Sequence, residues 1–172
     1  MKKTVFLFPG QGSQSVGMGK DIFEEFSHVR EIFEMAEEIT KKHIERLCFE
    51  GPMADLTQTV NLQPAVLTVS LAFLSILEKE GIEADIAAGH SLGEYGALHS
   101  CGIVTAEDAI RLVDMRGRLM HRESMLHEGA MHAVIGLDIE SLAEIVENVQ
   151  KNGVVSIANH NTREQIVITG SA

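Results

Sequence analysis

The stretch "IAAGHSLGEYGAL", residues 86–98, decides how this chain is read. A run of small residues suited to a strand enters Gly89-His90-Ser91-Leu92-Gly93, and a helix-compatible segment leaves it. A Gly-x-Ser-x-Gly motif at a strand-to-helix junction makes a sharp turn that presents the serine hydroxyl at its tip. Glycines on both sides let the flanking backbones close around a strained residue. The N–H of Leu92, at the start of the next helix, can point at a developing oxyanion with the helix dipole behind it. His90 is read as packing or hydrogen-bonding below the turn, because adjacent side chains on a tight turn diverge and His90 cannot easily reach Ser91 Oγ.

Working outward, "TVFLF" (residues 4–8) is a short, continuously apolar run, as expected of a strand covered on both faces. It ends in the glycine-rich loop "PGQGSQSVGMG". The spacing of Ile22, Phe26, Val29, Phe33 and Ala36 predicts one helix from about Asp21 to Lys41. A second helix is predicted to start near Pro64 and stop at Gly81. Its apolar stretch from Ala65 reads as too short to span a membrane. "DIAAG" is a weak strand before the serine turn, and Thr105 with Asp108 forms an N-terminal capping signature for the helix that follows. The tail reads differently: "AMHAVIGL", a helix from about Glu140 to Gln150, "VVSIAN" and "EQIVITG" give strand, helix, strand, strand, most of a split βαβ unit. The expected class is α/β: a hydrolase-like core with a parallel sheet over residues 1–125, then the start of a small α+β subdomain over 126–172.

At 172 residues with 45% hydrophobic content, the chain is long enough for one good core. A formal net charge of −11 argues against a nucleic-acid partner, since phosphate would be repelled by most of the surface. Two cysteines, Cys48 and Cys101, fit a reduced cytoplasmic setting better than a disulfide framework. Met1-Lys2-Lys3 is basic, but the four apolar residues that follow are too few for an export signal. Neither a membrane nor a metal is expected. The histidines at 28, 43, 99, 121, 127, 132 and 160 show no metal-ligand spacing.

Arg116 is the most informative single residue. On the helix from Thr105, positions 109, 112, 113, 119 and 120 define an apolar stripe, and position 116 falls inside it. Arg111, Arg118 and Arg122 lie elsewhere and read as solvated. A guanidinium aimed inward needs an anion. Three readings stand: an internal salt bridge, a stem that snorkels to solvent, or a bidentate fork for a substrate carboxylate. The loop "FPGQGSQ" (residues 8–14) is either a plain turn or the source of a second oxyanion N–H beside the serine. It lacks the Lys-Ser/Thr of a phosphate cradle.

Taken together, "FPGQGSQSVGMG", "QPAVLTVSLA", "AGHSLGEYGAL" and "RLVDMRGRLM" resemble, in order and spacing, the malonyl-CoA:acyl-carrier-protein transacylases of fatty-acid and polyketide synthesis. "GAMHAVIGL" and "IVITG" resemble that family's ferredoxin-like subdomain. The resemblance implies that Ser91 is the nucleophile taking malonyl from the coenzyme A thioester, that Gln11 and Leu92 give the backbone oxyanion donors, and that Arg116 grips the malonyl carboxylate. It implies a pocket-lining place for Gln63. The implied partners are malonyl-CoA and acyl carrier protein, with no cofactor.

The family's catalytic histidine comes from a later segment, and family chains are much longer. The chain is therefore expected to be an N-terminal portion that is silent alone and that recruits either its own C-terminal segment or another copy. Two rivals are a serine hydrolase or thioesterase, which would leave an inward Arg116 unexplained, and a non-catalytic fragment without a general base.

Overall fold

The computed structural model describes residues 3–171, so Met1 and Lys2 of the basic start lie outside the described residues. The chain is α/β and divides into two compact units, Met1–His121 and Arg122–Ala172.

The first unit opens with β1 (Val5–Phe8), followed by α1 (Lys20–Glu25), α2 (Ser27–Thr40), α3 (Ile44–Phe49), α4 (Met53–Leu56) and α5 (Thr59–Lys79). Then come β2 (Ile86–Gly89), α6 (Gly93–Ser100) and α7 (Ala106–Leu126), whose last turn passes the boundary between the units. β1 and β2 pair in parallel, with Val5 opposite Ile86 and Phe8 opposite Gly89. Parallel neighbours require a crossover, and α1–α5 provide it. β1 is not covered on both faces: Val5 and Leu7 stay 49% and 76% exposed while Phe8 is buried. Side chains alternate along a strand, and only the Phe6 and Phe8 face packs against the core.

The expected helix over 21–41 is two helices. Phe26 takes an extended conformation (φ −114°, ψ 114°) between them. The break lets Phe23 meet both Phe33 and Phe49 edge-on, with ring centroids 5.3 and 5.1 Å apart. Arg30 donates to the Phe23 and Glu24 carbonyls, satisfying the open C-terminal end of α1.

α5 is the central helix and begins at Thr59, five residues before the expected start. Pro64 therefore lies inside it. Its 21 residues, with a mean hydropathy of 1.8 in the most apolar window, are long and apolar enough to cross a membrane by length and composition. The apolar stretch alone understated that length. Most of that window is buried in the protein. Leu62, Leu67, Leu71 and Ala72 join the main core with Val29, Phe33, Ile44 and Leu56. Burying each Leu contributes roughly 1.5–3 kcal/mol relative to leaving it exposed.

On α7 the buried stripe is Ala109, Ile110, Val113, Asp114 and Gly117, whereas Leu112, Leu119 and Met120 are each more than two-fifths exposed. The helix is rotated from the expected stripe for two physical reasons. Gly117 comes so close to α5 that a Cβ there would lie 3.1 Å from the Thr59 carbonyl oxygen. Asp114 faces inward because Lys42 and Arg118 both pair with its carboxylate. Arg118 is thus not merely solvated; it reaches Asp114 at 2.7 Å and the Thr40 carbonyl at 3.3 Å.

The second unit holds β3 (Gly129–Ile135), α8 (Ile139–Val149), β4 (Val155–Thr162) and β5 (Gln165–Ser171), with a short 3-10 turn over 150–152. The three strands form an antiparallel sheet in the order β3-β5-β4. Leu142 and Val146, one turn apart on α8, pack with Ile166 of the central strand as a separate small core. Asp138 caps α8 by accepting from the Ser141 N–H at 2.7 Å. That bond holds the Asp138 carboxyl below its usual range.

Candidate active site

Ser91 sits where β2 ends and α6 begins, with φ 54°. A left-handed conformation is disfavoured by roughly 1–2 kcal/mol for a non-glycine residue, so its surroundings must impose it. They do so through two hydrogen bonds. The His90 N–H donates to the Phe8 carbonyl at 3.0 Å, tying the turn to the end of β1. The Gly93 N–H closes the turn on the His90 carbonyl at 2.9 Å. Gly89 and Gly93 allow this closeness: a Cβ on Gly89 would lie 2.1 Å from the Gly93 carbonyl, and one on Gly93 would lie 2.3 Å from the Phe8 oxygen.

The two glycine-rich loops abut. Gly10 packs so tightly on His90 that a Cβ there would meet the His90 ring nitrogen Nδ1 and the His90 carbonyl oxygen, each at 2.6 Å. Gln11 and Gly12 occupy the middle of a turn closed by Ser13 N–H to Gly10 oxygen at 3.4 Å, with Gly12 at φ 106°. Positive φ at the third residue is the mark of a type II turn, which favours glycine there. Leu92 is the N-cap of α6, and its side chain is buried. Among the described residues, neither the Gln11 nor the Leu92 N–H meets a backbone acceptor.

Arg116, on α7 and partly buried, bridges two elements. Its Nη2 donates to Ser91 Oγ at 3.0 Å and its Nη1 donates to Gln63 Oε1 at 2.7 Å. Gln63, on α5, is fully buried, and its Nε2 lies 3.1 Å from the Met120 sulfur. The structure thus brings Ser91, Arg116 and Gln63 together from three separate helices or turns. The guanidinium donates to the hydroxyl oxygen, leaving the hydroxyl proton free for a base and placing positive charge where an alkoxide would develop.

Sequence reasoning missed Met120, read as a core position, and Phe8, whose carbonyl both anchors the serine turn and limits residue 93. The signal for the second was present as the pairing of a short strand with two glycine-flanked loops. A groove of about 710 Å³ in the same unit, lined by Leu7, Pro9, Val16, Met18, Val69 and Phe73, includes neither Ser91 nor Arg116. Among the described residues no group of three His, Cys, Asp or Glu side chains could hold a metal ion.

A family model described as the acyl transferase domain matches residues 5–172. The chain belongs to the acyl transferase domain family. The malonyl CoA-acyl carrier protein transacylase of Bacillus subtilis (strain 168) is 44% identical over all of this chain, which covers 55% of that protein. A crystal structure of malonyl CoA-acyl carrier protein transacylase from Clostridium perfringens matches 98% of this acyl transferase chain with TM-score 0.90 and 41% identity, over 54% of its own length. A structure of a type II PKS acyl-carrier protein in complex with its malonyl-transacylase matches 98% of the chain at TM-score 0.89 and 38% identity, over 55% of the matched chain. This acyl transferase chain therefore spans about half the length of the relatives it matches.

Proposed function

We propose that this chain carries the nucleophile and acyl-recognition half of a malonyltransferase that moves malonyl from malonyl-CoA to the phosphopantetheine thiol of acyl carrier protein. The observation that carries the reading is the guanidinium 3.0 Å from the hydroxyl of a serine held at a left-handed turn. In a malonyl thioester the carboxylate is one methylene away from the carbonyl carbon. A cation beside the nucleophile can therefore hold the carboxylate while Ser91 Oγ attacks the carbonyl. An uncharged acyl group gives such a cation nothing to grip, which disfavours a general esterase.

In the proposed mechanism Ser91 Oγ bonds to the thioester carbon, and the developing oxyanion is met by the Gln11 and Leu92 N–H groups. Collapse expels the coenzyme A thiolate and leaves a malonyl ester on Ser91. The carrier thiol then attacks that ester in the second half of a ping-pong cycle. No cofactor takes part. The base for the Ser91 proton is proposed to come from a later segment, as the family resemblance implies. The β3–α8–β4–β5 arrangement is read as the first part of a ferredoxin-like subdomain, the first unit as a hydrolase-like core, and the setting as cytoplasmic.

The test is mass spectrometry of the chain incubated with malonyl-CoA, with and without a histidine-bearing C-terminal segment of a family member. A malonyl adduct on Ser91 that passes to the carrier protein supports transfer, and Ser91→Ala should abolish it. Arg116→Ala should lower malonyl relative to acetyl adduct about ten- to a hundredfold, since a hydrogen bond to a charged group contributes roughly 1.5–3 kcal/mol. Release of free malonate without carrier acylation would favour a hydrolase. Adducts on Ser13 or Ser100 would overturn the assignment of the nucleophile.

A further inference from the structure

We propose that Gln63 is a positioning residue for Arg116, and that Met120 fixes which end of the Gln63 amide faces the guanidinium. The consequence for substrate choice rests on the acyl-transfer reading above; the positioning itself rests on geometry alone. Gln63 has no exposed surface, whereas glutamine is mostly exposed in folded proteins. A buried amide needs an acceptor for its N–H groups as well as a donor for its oxygen. A guanidinium has five donors and no acceptor, so only the amide oxygen can face it. Arg116 Nη1 meets that oxygen at 2.7 Å. The NH2 end then points to the Met120 sulfur, at 3.1 Å.

The thioether is a weak acceptor, but it separates the two amide orientations. A flipped Gln63 would set NH2 against the guanidinium and oxygen against sulfur, losing both contacts. Arg116 and Met120 are four residues apart on α7 and so share one face. One helix supplies both ends of the clamp, and α5 supplies the amide between them. Gly117 lies within that turn, and its missing side chain admits the close approach to Thr59 and Val60 of α5. With Nη1 held, the guanidinium plane is set and Nη2 rests on Ser91 Oγ. A carboxylate arriving beside Ser91 therefore meets a fork already oriented. A group held this way needs no reorganisation, and a displacement of about 1 Å in such a site lowers rates on the order of a hundredfold.

The experiment compares the full chain with Gln63→Leu, Gln63→Glu and Met120→Leu. It has two readouts besides thermal melting. The first is the NMR spectrum of the Arg116 guanidinium. Separate, slowly exchanging Nη–H signals are expected in the unaltered protein, merging in Gln63→Leu and broadened in Met120→Leu. The second is the ratio of malonyl to acetyl adduct on Ser91, read with the histidine-bearing C-terminal segment supplied. Gln63→Leu should lower it about three- to tenfold, with the loss in the malonyl KM. Gln63→Glu should lower it further, because its carboxylate occupies Arg116 in place of substrate. Averaged Nη signals in the unaltered protein would overturn the proposal. So would a Gln63→Leu protein in which signals and ratio are unchanged, or one in which both adducts fall equally while the signals stay. If Gln63→Leu fails to fold, the isosteric Gln63→Glu and the distal Met120→Leu decide the matter. Should the unaltered protein form no malonyl adduct even when supplied with the histidine-bearing C-terminal segment, while its Nη signals respond as expected, the acyl-transfer reading fails and the positioning stands.

Discussion

Replacing Gly93 by alanine sets two physical effects against each other with opposite signs. Gly93 is the first residue of α6 and has no positive φ. Helix propensity alone would make alanine there more stable, by up to about 1 kcal/mol. The added Cβ, however, would sit 2.3 Å from the Phe8 oxygen, 2.7 Å from the Pro9 oxygen and 2.8 Å from the Phe8 carbonyl carbon. All three are backbone atoms at the end of β1, which cannot rotate away as a side-chain tip would. Reaching even a 3.0 Å contact requires the start of α6 to retreat from β1 by about 0.7 Å. Overpacking of this kind destabilises by roughly 1–3 kcal/mol, which exceeds the propensity gain.

The same retreat loosens the His90 N–H to Phe8 bond that ties down the serine turn. In urea unfolding followed by far-UV circular dichroism, an m-value of about 1–3 kcal/mol/M converts 2 kcal/mol into a midpoint lowered by roughly 1 M. Gly102→Ala is the internal control. Its Cβ would meet nothing within 4 Å, but its φ is +70°, so only the backbone penalty of about 1–2 kcal/mol applies, and Ser91 should be unaffected. A Gly93→Ala protein as stable as the parent, with Ser91 equally reactive toward malonyl-CoA, would refute the claim that this contact builds the turn.

Asp114→Ala should destabilise by about 3–5 kcal/mol in chemical denaturation, because it strands Lys42 without its buried carboxylate partner; a loss under 1 kcal/mol would show the pair to be incidental. Burial and the nearby Glu37 carboxylate push the Cys48 thiol up to about 12, while Cys101 is exposed. Alkylation of the native protein at pH 8 should therefore label Cys101 alone, with Cys48 following only in denaturant, as read by intact mass. Asp138 has its folded pKa lowered by the Ser141 N–H. Its capping contribution should be complete above the unfolded value of about 3.9 and disappear as pH falls through the lower folded value. The difference in α8 amide exchange between the parent and Asp138→Ala should accordingly be clear at pH 6 and shrink at pH 3.

Short-range chemistry was legible in the sequence. The Gly-x-Ser-x-Gly junction identified a strand, a turn and a helix around Ser91, because that order of residues leaves the backbone few alternatives. The Thr105 cap, whose hydroxyl accepts from the Asp108 N–H at 3.1 Å, was readable for the same reason. So was the strand, helix, strand, strand order of the tail. Side-chain facing was not. Periodicity on α7 could not reveal that Gly117 presses on α5 or that Asp114 turns inward, since both depend on Lys42 and Thr59, far away in sequence. The break at Phe26 likewise answers to Phe33 and Phe49, which no local propensity encodes. Arg116 marks the division most clearly. Its sequence position allowed a salt bridge, a snorkelling stem or a substrate fork. Only the packing of α5, α6 and α7 placed its guanidinium between Gln63 and the Ser91 hydroxyl, because contacts between residues 25 and 53 positions apart are made by the tertiary fold.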